Sequence, residues 1–402
     1  MTEDPEAAIG FVLALGRALH RYGTPAHRLE EALARVCDRL ALDAEVFSTP
    51  TALIMSFGRA TELRTRMLRV DGGELDLGKL AQVDALAEGV VAHRITAAQG
   101  VDRLDAIVAG RSQFGRAVST VAHGVTAGAI AVFFGGTAQD IAVAAAIGLA
   151  LGLLAQFVRR STEQARVLEL ASALVAALAA GVASTWWPGV TPSLVTVAAL
   201  IILLPGMSLT IAMTELATRN LISGTARLMS AVIVLLELVV GVALGERLAA
   251  ALVHVHQVPP VALPEAAHWA ALVVAALGAA IVVQAQLRAF GWIIAACVVG
   301  YAGSRAGGAW LGGQMGVLIG AFALGVLSNA YARWLDRPAQ VVQVPAVLLL
   351  VPGSMGFRGM SSLLDKDTLS GVETLFAMFV VAIAIVAGLL VASAVVSPRR
   401  SL

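Results

Sequence analysis

Hydrophobic and polar positions divide the chain into two unlike stretches. Apolar residues recur at helical spacing over 7–22 and 25–41, and Thr24 before Pro25 reads as an N-cap followed by a first-turn proline. Residues 45–57 (EVFSTPTALIMSF) and 61–70 (TELRTRMLRV) partly alternate and are rich in Val, Thr and Phe, which predicts strands. Helical periodicity returns over 75–110. These elements predict a small soluble α+β domain over 1–112.

Beyond that point the polar faces vanish. Stretches 114–134, 138–157, 165–186, 226–246, 267–286, 289–307, 312–332 and 372–396 are apolar throughout. At about 20 residues each they are long enough to cross a ~30 Å hydrocarbon core. Thr137 with Asp140 and Ser370 with Glu373 have capping-box spacing at two of the starts. Pairs Gly124/Gly128, Gly148/Gly152, Gly241/Gly245 and Gly316/Gly320 offer small-residue faces for close helix packing.

Two apolar runs are too short. Ser193–Leu204 and Val341–Val351 each stop at a Pro-Gly pair, Pro205-Gly206 and Pro352-Gly353. Each must continue past its break or turn back as a re-entrant loop. Charge arbitrates. If both cross, ten spans put 10 of the Lys and Arg beyond residue 116 inside and 4 outside; if both re-enter, the split is 7 against 7. The positive-inside bias therefore favours ten spans with both termini in the cytoplasm.

Aligning Pro205 on Pro352 matches seven residues in 24, including Met213 with Met360, Leu216 with Leu363 and Gly224 with Gly371. Five spans per unit is an odd number, so the second unit is reversed in the membrane. The expected fold class is an α-helical integral membrane protein of two inverted-topology repeats, 113–250 and 251–402, behind the α+β domain. The two breaks then acquire a use. Proline lacks an N–H, so Pro205 leaves the Ile201 carbonyl unpaired and Pro352 that of Leu348. Free carbonyls and helix N-termini can hold the ammonium and carboxylate of an amino acid. Expected substrate contacts are Pro205, Gly206, Ser208, Thr210, Pro352, Gly353 and Ser354. Simple proline kinks without a ligand are the plainer alternative.

Composition supports this division. The chain has 402 residues, 58% of them hydrophobic, with a mean hydropathy of +0.83, too apolar for a soluble protein. A net charge of +1 gives no case for nucleic acid. Cys37 and Cys297 lack zinc or redox spacing, and neither a cofactor nor a metal site is expected. The acidic start, Met1–Ala8, is not that of a signal peptide. Glu237 lies in mid-span, where a carboxylate is expensive and suits a proton carrier, with His123 as a second candidate. Glu215 and Arg358 follow the breaks as gate or interface residues. In the soluble domain, HRLEE (27–31) and STPT (48–51) could supply a Ser/His/Glu hydrolase, although a helix start and a polar turn account for them more simply.

The stretches LGRALHRYGTPAHRLEEAL…STPTALIMSF, LLPGMSLTIAMTELATRNLISGTARL and VPGSM together resemble the threonine/serine exporters of bacteria and fungi. The resemblance runs from about Gly10 to Val391. It implies a ten-span, proton-driven exporter of threonine and serine with a cytoplasmic N-terminal domain, and no enzymatic activity. His27, Arg28, Glu30, Thr49, Pro50 and Thr51 match the N-terminal motifs; Pro205, Gly206, Gly224 and Arg227 match the central one. Family members often carry an acidic residue soon after the first Pro-Gly, and here the nearest is Glu215. Split relatives linked to dicarboxylate export make a succinate-like substrate the main rival, with a hydrolase or sensor role for the N-terminal domain behind it. Expected partners are lipid, the amino acid and protons, with a homo-oligomer left open. Arginine outnumbers lysine 26 to 2, which suggests a GC-rich bacterium and its plasma membrane.

Overall fold

A computed structural model describes residues 4–59, 61–70, 75–158, 167–253 and 263–397. Arg159, Arg160, Arg166, Arg399 and Arg400, used in the charge count, lie outside the described residues.

The N-terminal unit comprises α1 (Pro5–Arg21), α2 (Ala26–Arg39), β1 (Ala44–Thr49), β2 (Ala52–Phe57), β3 (Arg64–Arg69), α3 (Leu77–Val91) and α4 (Ala97–Ala109). The strands form an antiparallel sheet in the order β1-β2-β3. The single strand expected over 45–57 is a hairpin. It turns at Pro50-Thr51, where Thr49 Oγ1 accepts from Ala52 N–H at 3.0 Å and closes the loop. Phe11, Leu15, Leu29, Leu33, Leu53 and Met55 are fully buried between helices and sheet.

The membrane part begins with α5 (Arg116–Phe133), α6 (Ala138–Val158) and α7 (Leu168–Trp186). Then come α8 (Pro192–Leu200) and α9 (Gly206–Ala217), separated by the first break, and a long α10 (Leu221–Leu252). The pattern recurs as α11 (Glu265–Val282), α12 (Phe290–Leu311), α13 (Gly313–Leu335), α14 (Gln340–Leu348), α15 (Gly353–Leu364) and α16 (Thr368–Val395). Among the described residues, nine helical segments are long and apolar enough to cross a membrane, and Gln340–Leu364 counts as one of them. This is a multi-pass membrane protein. Pro192–Ala217, which a like break divides into helices of 9 and 12 residues, is not among the nine.

The ends of that segment are fixed at opposite poles of the bundle. At one pole Thr191 N–H donates to Asp140 Oδ1 at 2.7 Å, beside the α5–α6 turn where Thr137 and Asp140 form the expected capping box. At the other, Glu215 reaches into the N-terminal unit, which precedes the start of α5. Arg358, midway along α15, lies 4.7 Å over the Phe134 ring at the first pole, while Gln340 at the start of α14 borders the N-terminal unit.

The two broken segments share detailed geometry. Both breaks separate a 9-residue helix from a 12-residue one. Pro205 and Pro352 have φ/ψ of −78/35° and −84/31°. Leu203 and Leu204 donate to the Leu200 carbonyl as Leu350 and Val351 donate to that of Val347. Arg219 and Lys366 end the segments at φ 67° and 66°. Gly224 abuts Leu216 as Gly371 abuts Leu363.

The small-residue faces act as their spacing predicts. A Cβ on Gly124 or Gly148 would run into the facing helix of the α5–α6 pair; Gly241 and Gly245 meet α7 backbone, and Gly316 and Gly320 meet α12 backbone. One cap differs from expectation. The start of α16 is capped by Asp367, whose Oδ1 accepts from Ser370 N–H at 3.4 Å, and not by a Ser370–Glu373 box.

Candidate functional site

The breaks bring α8–α9 and α14–α15 together back to back. A Cβ built on Gly353 would lie 3.2 Å from both N and Cα of Gly206, and one on Gly206 would lie 3.2 Å from Gly353 N. Only glycine permits backbones this close. Beside this contact lies a cavity of about 610 Å³, within the usual range for ligand sites. Ile201–Pro205, Ser208, Leu348–Val351 and Ser354 form one wall. Opposite stand Ser119, His123 and Thr126 of α5 with Gln156 of α6.

Among the described residues no backbone N–H reaches the Ile201 or Leu348 carbonyl, and both residues line the cavity. Unsatisfied carbonyls are tolerable at membrane depth where they face such a space. Of the expected substrate contacts, Pro205, Ser208 and Ser354 line this cavity. Gly206 and Gly353 form the contact beside it, and Pro352 is not among its lining residues. Thr210 turns its hydroxyl back to the Gly206 carbonyl at 3.1 Å and borders a separate, inner cavity.

His123 lines the central cavity, and its Nδ1 lies 2.8 Å from the Ser119 carbonyl. A carbonyl only accepts, so Nδ1 carries the hydrogen and Nε2 of the neutral ring is an acceptor. Glu237 does not meet expectation. It is half-buried and absent from the cavity wall. The acid that does line the cavity is Glu169, at the start of α7, which the sequence reading passed over because it opens a span. No lysine or arginine lines the cavity among the described residues.

Glu215 is the main surprise. It is completely buried and accepts four hydrogen bonds. Arg227 Nε and Nη2 donate at 3.1 and 3.3 Å, Ser223 Oγ donates at 3.0 Å, and the Ala26 backbone N–H donates at 3.0 Å. Thus α2 is capped by a membrane helix. Thr24, expected as its cap, makes no such bond; Pro25 is the N-cap and the Thr24 hydroxyl has no partner among the described residues. Expected as a gate or interface residue, Glu215 is a buried, paired carboxylate and not a free site charge. A second tether lies at α3, where Leu77 and Gly78 N–H groups donate to the carbonyls of Val283 and Gln284 at 3.0 Å. Gln284 also bridges Phe114 N–H and Ser119 Oγ.

The N-terminal motifs are brought together as structure. Glu30 Oε1 accepts from Ser48 N–H at 2.7 Å, and His20 Nε2 donates to the Thr49 carbonyl at 3.1 Å. No hydrogen bond joins His27 to Ser48 among the described residues, and His27 Nδ1 is buried without a partner. The Ser/His pairing that a hydrolase needs is not formed. Thr51 is an exposed residue at the hairpin tip. Burial pushes His27 down to about 4, the neighbouring Arg28 adds to this, and Glu215 and Glu31 oppose it. Burial also lowers His20 and raises Glu30, the latter against the Ser48 hydrogen bond.

Residues 10–249 match the family described as a threonine/serine exporter, and 268–395 match a second family description, "Threonine/Serine exporter, ThrE". The chain belongs to the threonine/serine exporter family. Among its relatives are the pheromone-regulated membrane protein 10 of Eremothecium gossypii, 27% identical over 89% of this chain and 49% of its own length, and that of Saccharomyces cerevisiae strain YJM789, 28% identical over 88% and 47%. An uncharacterized protein of Schizosaccharomyces pombe, C7D4.12c, is 27% identical over 87% and 48%. The chain spans about half the length of these relatives. No solved structure matches this exporter-family chain.

Proposed function

We propose that the protein is a secondary exporter of small polar amino acids, threonine and serine, driven by the proton gradient of a plasma membrane. The observation that carries this reading is the pair of Pro-Gly breaks meeting beside one cavity, with Ser208, Ser354 and the free Ile201 and Leu348 carbonyls on its wall. Carbonyls would take the ammonium and hydroxyls the carboxylate and the side-chain hydroxyl of the substrate.

The shared break geometry supports two five-span units, and the opposite poles reached by Thr191 and Glu215 support a crossing, giving ten spans. An odd count per unit makes the repeats inverted, with both termini cytoplasmic. Alternating access would come from rocking one unit against the other about the Gly206–Gly353 contact. His123 takes the proton-carrier role, because it is a titratable ring on the cavity wall; Glu169 is its acidic companion. A dicarboxylate would require cations, and among the described residues no lysine or arginine lines the central cavity.

Proteoliposomes preloaded with labelled threonine test this. Efflux should accelerate when the proton gradient is imposed in one direction and slow when it is reversed. Efflux indifferent to the gradient removes proton coupling, and efflux of succinate without threonine removes the substrate assignment.

A further inference from the structure

A second cavity, of about 290 Å³, lies under the N-terminal unit. Its walls come from both units: Tyr22, His27 and Arg28 on one side, Thr210, Thr214, Gln340 and Gln343 on the other. Leu75, Met207 and Ser208 border both cavities, so a thin partition at the start of α9 separates an inner chamber from the central one.

The charge of this chamber is one-sided. Among the described residues no Asp or Glu lines it, whereas His27, Arg28 and Arg227 do. Arg227 is neutralised by Glu215. Among the described residues the Arg28 guanidinium has no ion pair or hydrogen bond, its backbone N–H alone donating to the Pro25 carbonyl at 3.1 Å. The acid whose charge it feels, Glu31, faces solvent and pairs with Arg35 at 3.8 Å. Burial acts on Arg28 strongly enough to lower its affinity for the proton. A largely buried guanidinium without a counter-ion is costly, and a cavity beside it lets a mobile anion supply the missing charge. The neighbouring His27 Nδ1, also unpartnered, and the amides of Gln340 and Gln343 add uncharged polar groups around that point.

We propose that this inner chamber is a second binding site, selective for a small carboxylate-bearing solute, with Arg28 of the N-terminal unit pairing the carboxylate. That the solute is an amino acid rests on the transport reading above. On this view the N-terminal unit forms part of the permeation path, and the solute waits in the inner chamber before passing Met207 and Ser208.

Equilibrium dialysis of labelled L-threonine against the purified full-length protein tests the site. The wild type should bind at two sites and Arg28→Gln at one, with Arg28→Lys retaining weakened second-site binding. Ser354→Trp, which obstructs the central cavity alone, should leave the Arg28-dependent site within about threefold of its wild-type affinity. L-threoninol, which lacks the carboxylate, should compete at least tenfold more weakly at the Arg28-dependent site. Unchanged stoichiometry in Arg28→Gln, or equal competition by threoninol, overturns the proposal. If threonine binds nowhere, labelled succinate is titrated in the same variants. Arg28-dependent succinate binding keeps the carboxylate site while removing the amino-acid reading, and no Arg28-dependent binding of either probe overturns the site itself.

Discussion

Gly206 and Gly353 touch backbone to backbone, so two breaks 147 residues apart in sequence form one joint. Adding a methyl group to Gly353 would press on Gly206 and on Leu204 Cβ, each at 3.2 Å. Gly353→Ala should therefore cost about 1–3 kcal/mol of stability and reduce transport at least tenfold. Gly291→Ala is the control, because a Cβ there meets nothing within 4 Å; its melting temperature and transport should match the wild type.

The buried Glu215–Arg227 pair makes a second prediction. Removing one partner strands the other, so Glu215→Ala should cost about 3–5 kcal/mol. It also uncaps α2, so amide hydrogen exchange at Ala26 should rise more than exchange at the centre of α1. Unchanged exchange at Ala26 would count against the cap.

His27 supplies a pH dependence. Its folded value is about 4 against an ordinary 6.5, so the unfolded chain binds more protons in between. Stability is then fully present above pH 6.5 and is lost as pH falls toward 4, by up to about 3 kcal/mol. The melting temperature of His27→Gln should fall less than that of the wild type between pH 7 and pH 4.5.

Proton coupling should follow the cavity wall. His123→Gln should transport with a flattened response to an imposed gradient. Glu237→Gln should keep both rate and response within about twofold of wild type, because Glu237 lies off the cavity. The reverse result would return the proton to Glu237.

The membrane helices were legible because their composition and length decide them, and the breaks because Pro-Gly leaves few alternatives. The hairpin at Pro50 was half legible: STPT reads as a polar turn, but Val, Thr and Phe on either side of it also suit one bulged strand. The position of Glu237 off the cavity wall was not legible, because a helix in lipid has buried and exposed flanks that hydropathy alone does not distinguish. Glu215 and Arg227 stood out singly. Their pairing, and the bond to Ala26 across 189 residues, depend on how two units dock, which no local pattern encodes.

One helix contact is built in opposite senses in the two halves of the membrane part. In the first unit Gly245 of α10 faces Ala177 of α7; in the second the methyl group has changed sides, with Ala392 of α16 facing Gly325 of α13. The volume between the helices is conserved only by the pair. A chimera carrying α16 in place of α10 would set Ala against Ala and force the helices apart, and the reciprocal exchange would set Gly against Gly and leave a hole. If the halves descend from one duplicated gene, this joint has since become a lock: recombination can exchange both helices together, but neither one alone.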